Sequence, residues 1–205
     1  TPTGTATFKF YTNGTCTEPA AATSAALALV SGSVDATTFL QGPLAAGSYS
    51  FKADYTSNDL SKWTNATSAC EPLTVTQGTS TVATTLHKAD KSVVAVGGSV
   101  ALGTIMHDLA TVSVTPAFAA PTGSVTFTIF SNSDCTGPGS LAGVVALDGA
   151  NPGVAHPSIS TAALAAGSYA FRATWPGNTN YTGATSICEN FTVSPLSTAT
   201  SVPAT

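Results

Sequence analysis

Charge is what this sequence has least of. Lys and Arg number six and Asp and Glu ten among 205 residues, a charged fraction of 8%, where an ordinary globular domain carries about 25%. Six basic side chains cannot neutralise a run of phosphates, which argues against a nucleic-acid partner and equally against an anionic membrane surface. Helix formers are thin as well: there is one Met, and Glu, Lys and Gln are sparse. No apolar run approaches the roughly 18 residues of a membrane-spanning helix. AALALVSGSV at 25–34 is short and interrupted by Ser and Gly. With no initiator Met and no signal peptide, the expectation is that Thr1 follows a processing event or that the sequence is a window of a longer polypeptide.

Polarity comes instead from Thr, Ser and Gly, which suit pleated strands and turns, so the predicted fold class is all-β. A chain of this length accommodates two domains of about 100 residues, and an internal repeat supports that division. TPTGTATFKFYTNGTC at 1–16 matches APTGSVTFTIFSNSDC at 120–135, an offset of 119. LAAGSYSFKADY at 44–55 matches LAAGSYAFRATW at 164–175, offset 120, and SACEPLTV at 68–75 matches SICENFTV at 186–193, offset 118. Such stable offsets leave only short insertions between the matching blocks.

Each block reads as a strand. Ala6, Phe8 and Phe10 alternate with Thr and Lys, as do Val125, Phe127 and Ile129, the period of a strand with one face in a core. Tyr49, Phe51, Ala53 and Tyr55 form a second such face, matched by Tyr169, Phe171, Ala173 and Trp175. Asn13-Gly14 reads as a hairpin turn, since both residues tolerate positive φ. Short strands with regular turn signals indicate a sandwich or barrel. Leu-Ala-Ala-Gly-Ser-Tyr, ending at Tyr49 and again at Tyr169, has the form of a tyrosine corner, whose hydroxyl reaches back to the backbone upstream and opens the sixth strand of a Greek key. The plainer alternative is a tyrosine that only packs.

With these motifs in order, the chain resembles the bacterial immunoglobulin-like repeats of large surface proteins, whose pattern runs roughly P-T-G-T-V-T-F, L-A-A-G-x-Y and L-T-V-T. SVALGTIMHDLATVSV at 99–114 is similar to the early strands of the Cys-containing members. The resemblance implies tandem immunoglobulin-like Greek-key β-sandwiches, and it bears on fold more than on function. It divides the chain into 1–78, a module lacking its first two strands within this chain; 79–194, a full module; and 195–205, the first strand of a next module or a donor strand. LSTATSV at 196–202 is similar to STVATTL at 80–86. An incomplete sandwich exposes core aromatics and a sheet edge. Either upstream modules of a longer array cover them, or a neighbouring copy donates a strand, with 194–205 as the donor.

The four cysteines fall at equivalent positions of the repeat, which favours pairing Cys16 with Cys70 and Cys135 with Cys188, separated by 54 and 53 residues. Zinc is disfavoured, because no Cys-x-x-Cys exists and no His adjoins these cysteines. Closing such a loop is worth roughly 4 kcal/mol, and the bonds persist only in an oxidising compartment, so the expected location is extracellular or the cell surface. Asn13, Asn65, Asn180 and Asn190 begin N-glycosylation acceptor triplets, a weak signal in so Thr-rich a chain.

No catalytic constellation emerges, and the expectation is a protein that is not an enzyme, with no cofactor and no metal. His87, His107 and His156 lie far apart in sequence, and none recurs in both repeats. In His107-Asp108, adjacent strand residues point to opposite faces, and Asp108 is expected to bond backbone at a strand bend. Glu71 and Glu189, each following the second Cys of its repeat, read as loop contacts. Trp63 and Tyr181 occupy matching loops and are candidate ligand-contact aromatics, stacking on a sugar or plugging the open end of the sandwich. The favoured function is a structural module of an extracellular filament or cell-surface stalk, its partners being neighbouring copies arranged head to tail. The alternatives are an adhesin or carbohydrate-binding module with glycan partners, and an accessory domain of a secreted enzyme.

Overall fold

The computed structural model describes residues 1–196, and all regular structure in them is β. No helix there is long and apolar enough to cross a membrane. The chain divides into two compact units, Thr1–Gln77 and Gly78–Thr205.

Unit 1 is built on one sheet. Its strands are β1 (Gly4–Tyr11), β2 (Ala22–Thr23), β3 (Leu27–Ala28), β4 (Gly47–Ser57), β5 (Ala66–Thr67) and β6 (Glu71–Val75). The long antiparallel β1/β4 ladder sets Phe8 opposite Ala53 and Phe10 opposite Phe51. The short strands β2 and β3 extend it on the β1 side, β5 and β6 on the β4 side.

Unit 2 repeats this sheet and adds a second one. Its strands are β7 (Thr79–Lys88), β8 (Val93–Val94), β9 (Gly98–Ala101), β10 (Met106–Thr115), β11 (Ser124–Phe130), β12 (Ser140–Ala146), β13 (Gly153–Ala155), β14 (Gly167–Gly177), β15 (Thr182–Thr185) and β16 (Glu189–Ser194). One sheet runs β12-β11-β14-β16-β9, and the other runs β13-β10-β7-β8. Both sheets alternate apolar residues inward, and the two inner faces share one core. Val82, Leu86, Ala110 and Val112 come from the four-stranded sheet, and Val125, Phe127, Phe171, Trp175 and Phe191 from the other. β9 lies parallel to β16 and closes that edge.

The repeat carries over strand by strand, yet burial does not. Phe127, Phe171, Ala173 and Trp175 are fully buried under the β7/β10 sheet. Their counterparts Phe8, Phe51, Ala53 and Tyr55 are only half-buried. Phe191 is 1% exposed, whereas the matching Leu73 is 41% exposed.

Disulfides join Cys16 to Cys70 and Cys135 to Cys188. In unit 2 the bridge packs with Phe130 and Ala170, a cluster separate from the main core. The expected hairpin at Asn13-Gly14 is not formed, and neither residue has positive φ. A longer loop follows β1, and Cys16 itself takes the left-handed conformation, at φ 50°. Asn13 organises that loop through its side chain, accepting from the Thr15 and Thr17 amides and donating to the Thr17 carbonyl. Asn132 repeats the arrangement with the Asp134 and Thr136 amides and the Thr136 carbonyl, beside Cys135 at φ 53°. The segment expected to start a further module, 195–205, falls mostly on 197–205, which lie outside the described residues.

Candidate functional site

Both corner tyrosines reach back four residues: the Tyr49 hydroxyl donates to the Ala45 carbonyl at 2.9 Å and that of Tyr169 to Ala165 at 3.1 Å. The two loop aromatics diverge. Trp63 is 39% exposed. Tyr181 is 1% exposed, and its hydroxyl accepts from the Ala119 amide and lies 3.1 and 2.9 Å from the Pro116 and Ala119 carbonyls. Tyr181 therefore plugs unit 2, and its assignment as a ligand-contact aromatic is corrected: a ring with no exposed face cannot stack on a sugar. Of the acceptor asparagines, Asn65 is exposed and its carbonyl takes the Ser57 amide. Asn13 is tied into its loop, and Asn180 and Asn190 are half-buried.

The two glutamates part company for the same reason as the aromatics. Glu71 is exposed on β6, whereas Glu189 is buried on β16, with Oε2 lacking a hydrogen-bond partner. Asp108 is fully buried on the inner face of β10. Its Oδ1 accepts the Leu109 amide, and its Oδ2 has no partner. Burial, reinforced by the charge of Glu189, pushes the Asp108 carboxyl up to about 8. Burial likewise raises Glu189, against the opposing effect of the Thr84 hydroxyl. Burial thus shifts both inward carboxyls of the unit toward their neutral forms.

On the opposite face of the same sheet, the fold assembles what the sequence scatters. The β7/β10 register places His87 directly opposite His107. His156 follows Ala155, whose partner on β10 is Ala110. The inward positions of β10 are Met106, Asp108, Ala110 and Val112, so His107 faces outward with His87 and His156. Ring centroids lie 5.5 Å apart for His87 and His107, 5.4 Å for His87 and His156, and 5.2 Å for His107 and His156. Nε2 of His107 is 3.2 Å from Nε2 of His156, and one ring nitrogen from each of the three lies within 4.8 Å of the others. Nδ1 of His87 lies 2.9 Å from the Thr85 carbonyl, to which it donates. His107 is 4% exposed, and the other two reach solvent. Burial first, then the neighbouring rings and Lys91, hold His107 and His156 below the ordinary histidine range.

Residue types and spacing point away from this cluster, since histidines 20 and 49 positions apart match no local ligand pattern. The one available signal is that His87 and His107 lie symmetrically about Gly97, which becomes meaningful once β7 and β10 are known to pair. No protein-family model matches the chain, and neither does any curated protein.

Proposed function

We propose that this chain is a non-catalytic structural segment of an extracellular filament or cell-surface stalk, built from immunoglobulin-like Greek-key sandwiches in series. The observation that carries the reading is the contrast between two copies of one repeat. In unit 2 the repeated sheet is covered by β7 and β10 and edged by β9. In unit 1 the matching face, with Phe8, Phe51, Tyr55 and Leu73, stays partly open. The outer edge of β6 has no pairing strand among the described residues. On the β1/β3 side of the same sheet, a groove of about 270 Å³ opens among Pro2, Ala6, Leu29, Val34 and Tyr55. An open apolar face next to a free edge is the acceptor half of strand complementation. A segment equivalent to β7–β10, supplied by another module, fits both the edge and the face.

The two disulfides accord with an oxidising, extracellular setting. Each bridge also prevents the chain between its cysteines from being drawn out straight, a property suited to a load-bearing thread. Electron microscopy and sedimentation of the purified chain test the proposal. Fibres or concentration-dependent oligomers with an axial spacing of one or two modules support it, and a strictly monomeric chain at every concentration counts against it. The adhesin or carbohydrate-binding alternative now rests on Trp63 alone, and saturable glycan binding lost in Trp63→Ala would favour it.

A further inference from the structure

His87, His107 and His156 lie on the outward face of the β7/β10 sheet, away from the apolar core. Three imidazoles share one patch on a sheet whose own backbone ladder fixes two of them: His87 and His107 are a directly opposed pair. Such a pair sits side by side whatever else the protein does, but a third ring, from His156 just past β13, brings one nitrogen of each ring within 4.8 Å of the others.

We propose that His87, His107 and His156 form a three-nitrogen binding site for a divalent transition-metal ion, with zinc as the fitting ligand.

Four features support the assignment. First, two nitrogens bound to one tetrahedral ion at about 2.0–2.1 Å lie about 3.3 Å apart, and the His107 and His156 Nε2 atoms are already 3.2 Å apart. At that distance either one ring's Nε2–H donates to the other or, with both rings in the Nδ1–H tautomer, two lone pairs face a single position that a cation can take. Second, the Thr85 carbonyl takes the Nδ1 proton of His87. This leaves the Nε2 lone pair outward and the ring oriented, the outer-shell arrangement of metal-bound histidine. Third, His107 is 4% exposed and packs against the other two rings at centroid separations of 5.5 and 5.2 Å, so its position is fixed by the fold before any ion arrives. Fourth, the donor set is all nitrogen, with every cysteine bridged and no carboxylate within the cluster. That set suits zinc, copper(II) or nickel(II) and not calcium or magnesium. Because His87 and His156 reach solvent, a fourth position stays open to water or to a further donor.

The test uses the whole chain, stripped with a chelator and titrated with Zn²⁺ by calorimetry, and with Cu²⁺ as a spectroscopic probe. The expected result is one saturable equivalent per chain and a Cu²⁺ paramagnetic-resonance spectrum with coupling to three nitrogens. His107→Ala is expected to weaken binding by more than about 100-fold, beyond the roughly 10–100-fold typical of losing an outer-shell partner. His156→Gln, at a position that follows its strand, is the second variant, chosen because it leaves the β7/β10 ladder intact. The metal-free circular dichroism of both variants is compared with the parent, so that a folding defect is separated from a lost ligand. Stoichiometry of one ion per two chains, a one-nitrogen spectrum, or unchanged affinity in a folded His156→Gln would each overturn the proposal. None of these outcomes bears on filament assembly, which is read independently by microscopy.

Discussion

A buried carboxyl with no cation beside it is tolerated only while it holds its proton. Asp108 has Glu189 as its acidic neighbour and accepts a hydrogen bond from the Leu109 amide. Its folded-state proton affinity exceeds that of the unfolded chain, so the stability it contributes is full below the usual carboxylate range and is lost as pH rises through about 8. Asp108→Asn removes the titration while keeping the shape and the Leu109 contact. The stability of the variant relative to the parent, from urea unfolding, should therefore climb steadily from about pH 5 to about pH 9. His107 and His156, whose protonation is disfavoured in the fold, act in the opposite sense as pH falls, and they cancel in that difference. A difference independent of pH would show that Asp108 does not titrate in this range. Hydroxyl deletions probe the tyrosines in the same manner. Tyr181→Phe leaves the half-buried Ala119 amide without its acceptor and should cost about 1–2 kcal/mol. Tyr169→Phe, at an exposed bond, should cost about 0.5–1.5 kcal/mol. The corner tyrosines were readable from sequence because their partner lies four residues away. Tyr181 and Trp63 were not distinguishable, because the burial of Tyr181 depends on the Pro116–Ala119 loop, which lies outside the matching blocks.

At the scale of elements, the strands that repeat were legible and those that do not were only partly so. Alternation identified β1, β4, β11 and β14, and repeated offsets fixed their correspondence. The loop after β1 was misread, because Asn-Gly is a strong local turn signal while the actual loop is shaped by the bridged Cys16 and the Asn13 side chain. The parallel β9/β16 pairing and the His87–His107 opposition were out of reach, since long-range register is not written in local spacing. The bridge itself is a test of this level. Replacing Cys135 and Cys188 together by Ala opens a loop that the Asn132 contacts alone must then hold. The expected loss is about 2–5 kcal/mol, measured by urea unfolding of the variant against the parent. A loss under about 1 kcal/mol would mean that the loop and the Phe130–Ala170 packing are self-sufficient.

For the molecule as a whole, the decisive difference is that one sheet is covered and its repeat is not. Unit 2 orders β14 and β16 between a second sheet and an edge strand. Unit 1 leaves β4 and β6 with one face partly open and one edge unpaired among the described residues. Amide exchange reports such a difference directly, because protection follows burial and pairing. In dilute solution the amides of β6 should exchange at least about 10-fold faster than those of β16. Fusing a second copy of residues 79–119 ahead of Thr1 supplies the β7–β10 equivalent in the same chain. Protection of β6 should then rise toward that of β16, and any concentration-dependent oligomers should dissolve, because the acceptor face is already filled. If β6 in the dilute monomer is already as protected as β16, unit 1 needs no complement and serial assembly loses its physical basis. If the fusion protects β6 yet oligomers persist, the modules associate through some other surface, and the donated strand is not what links them.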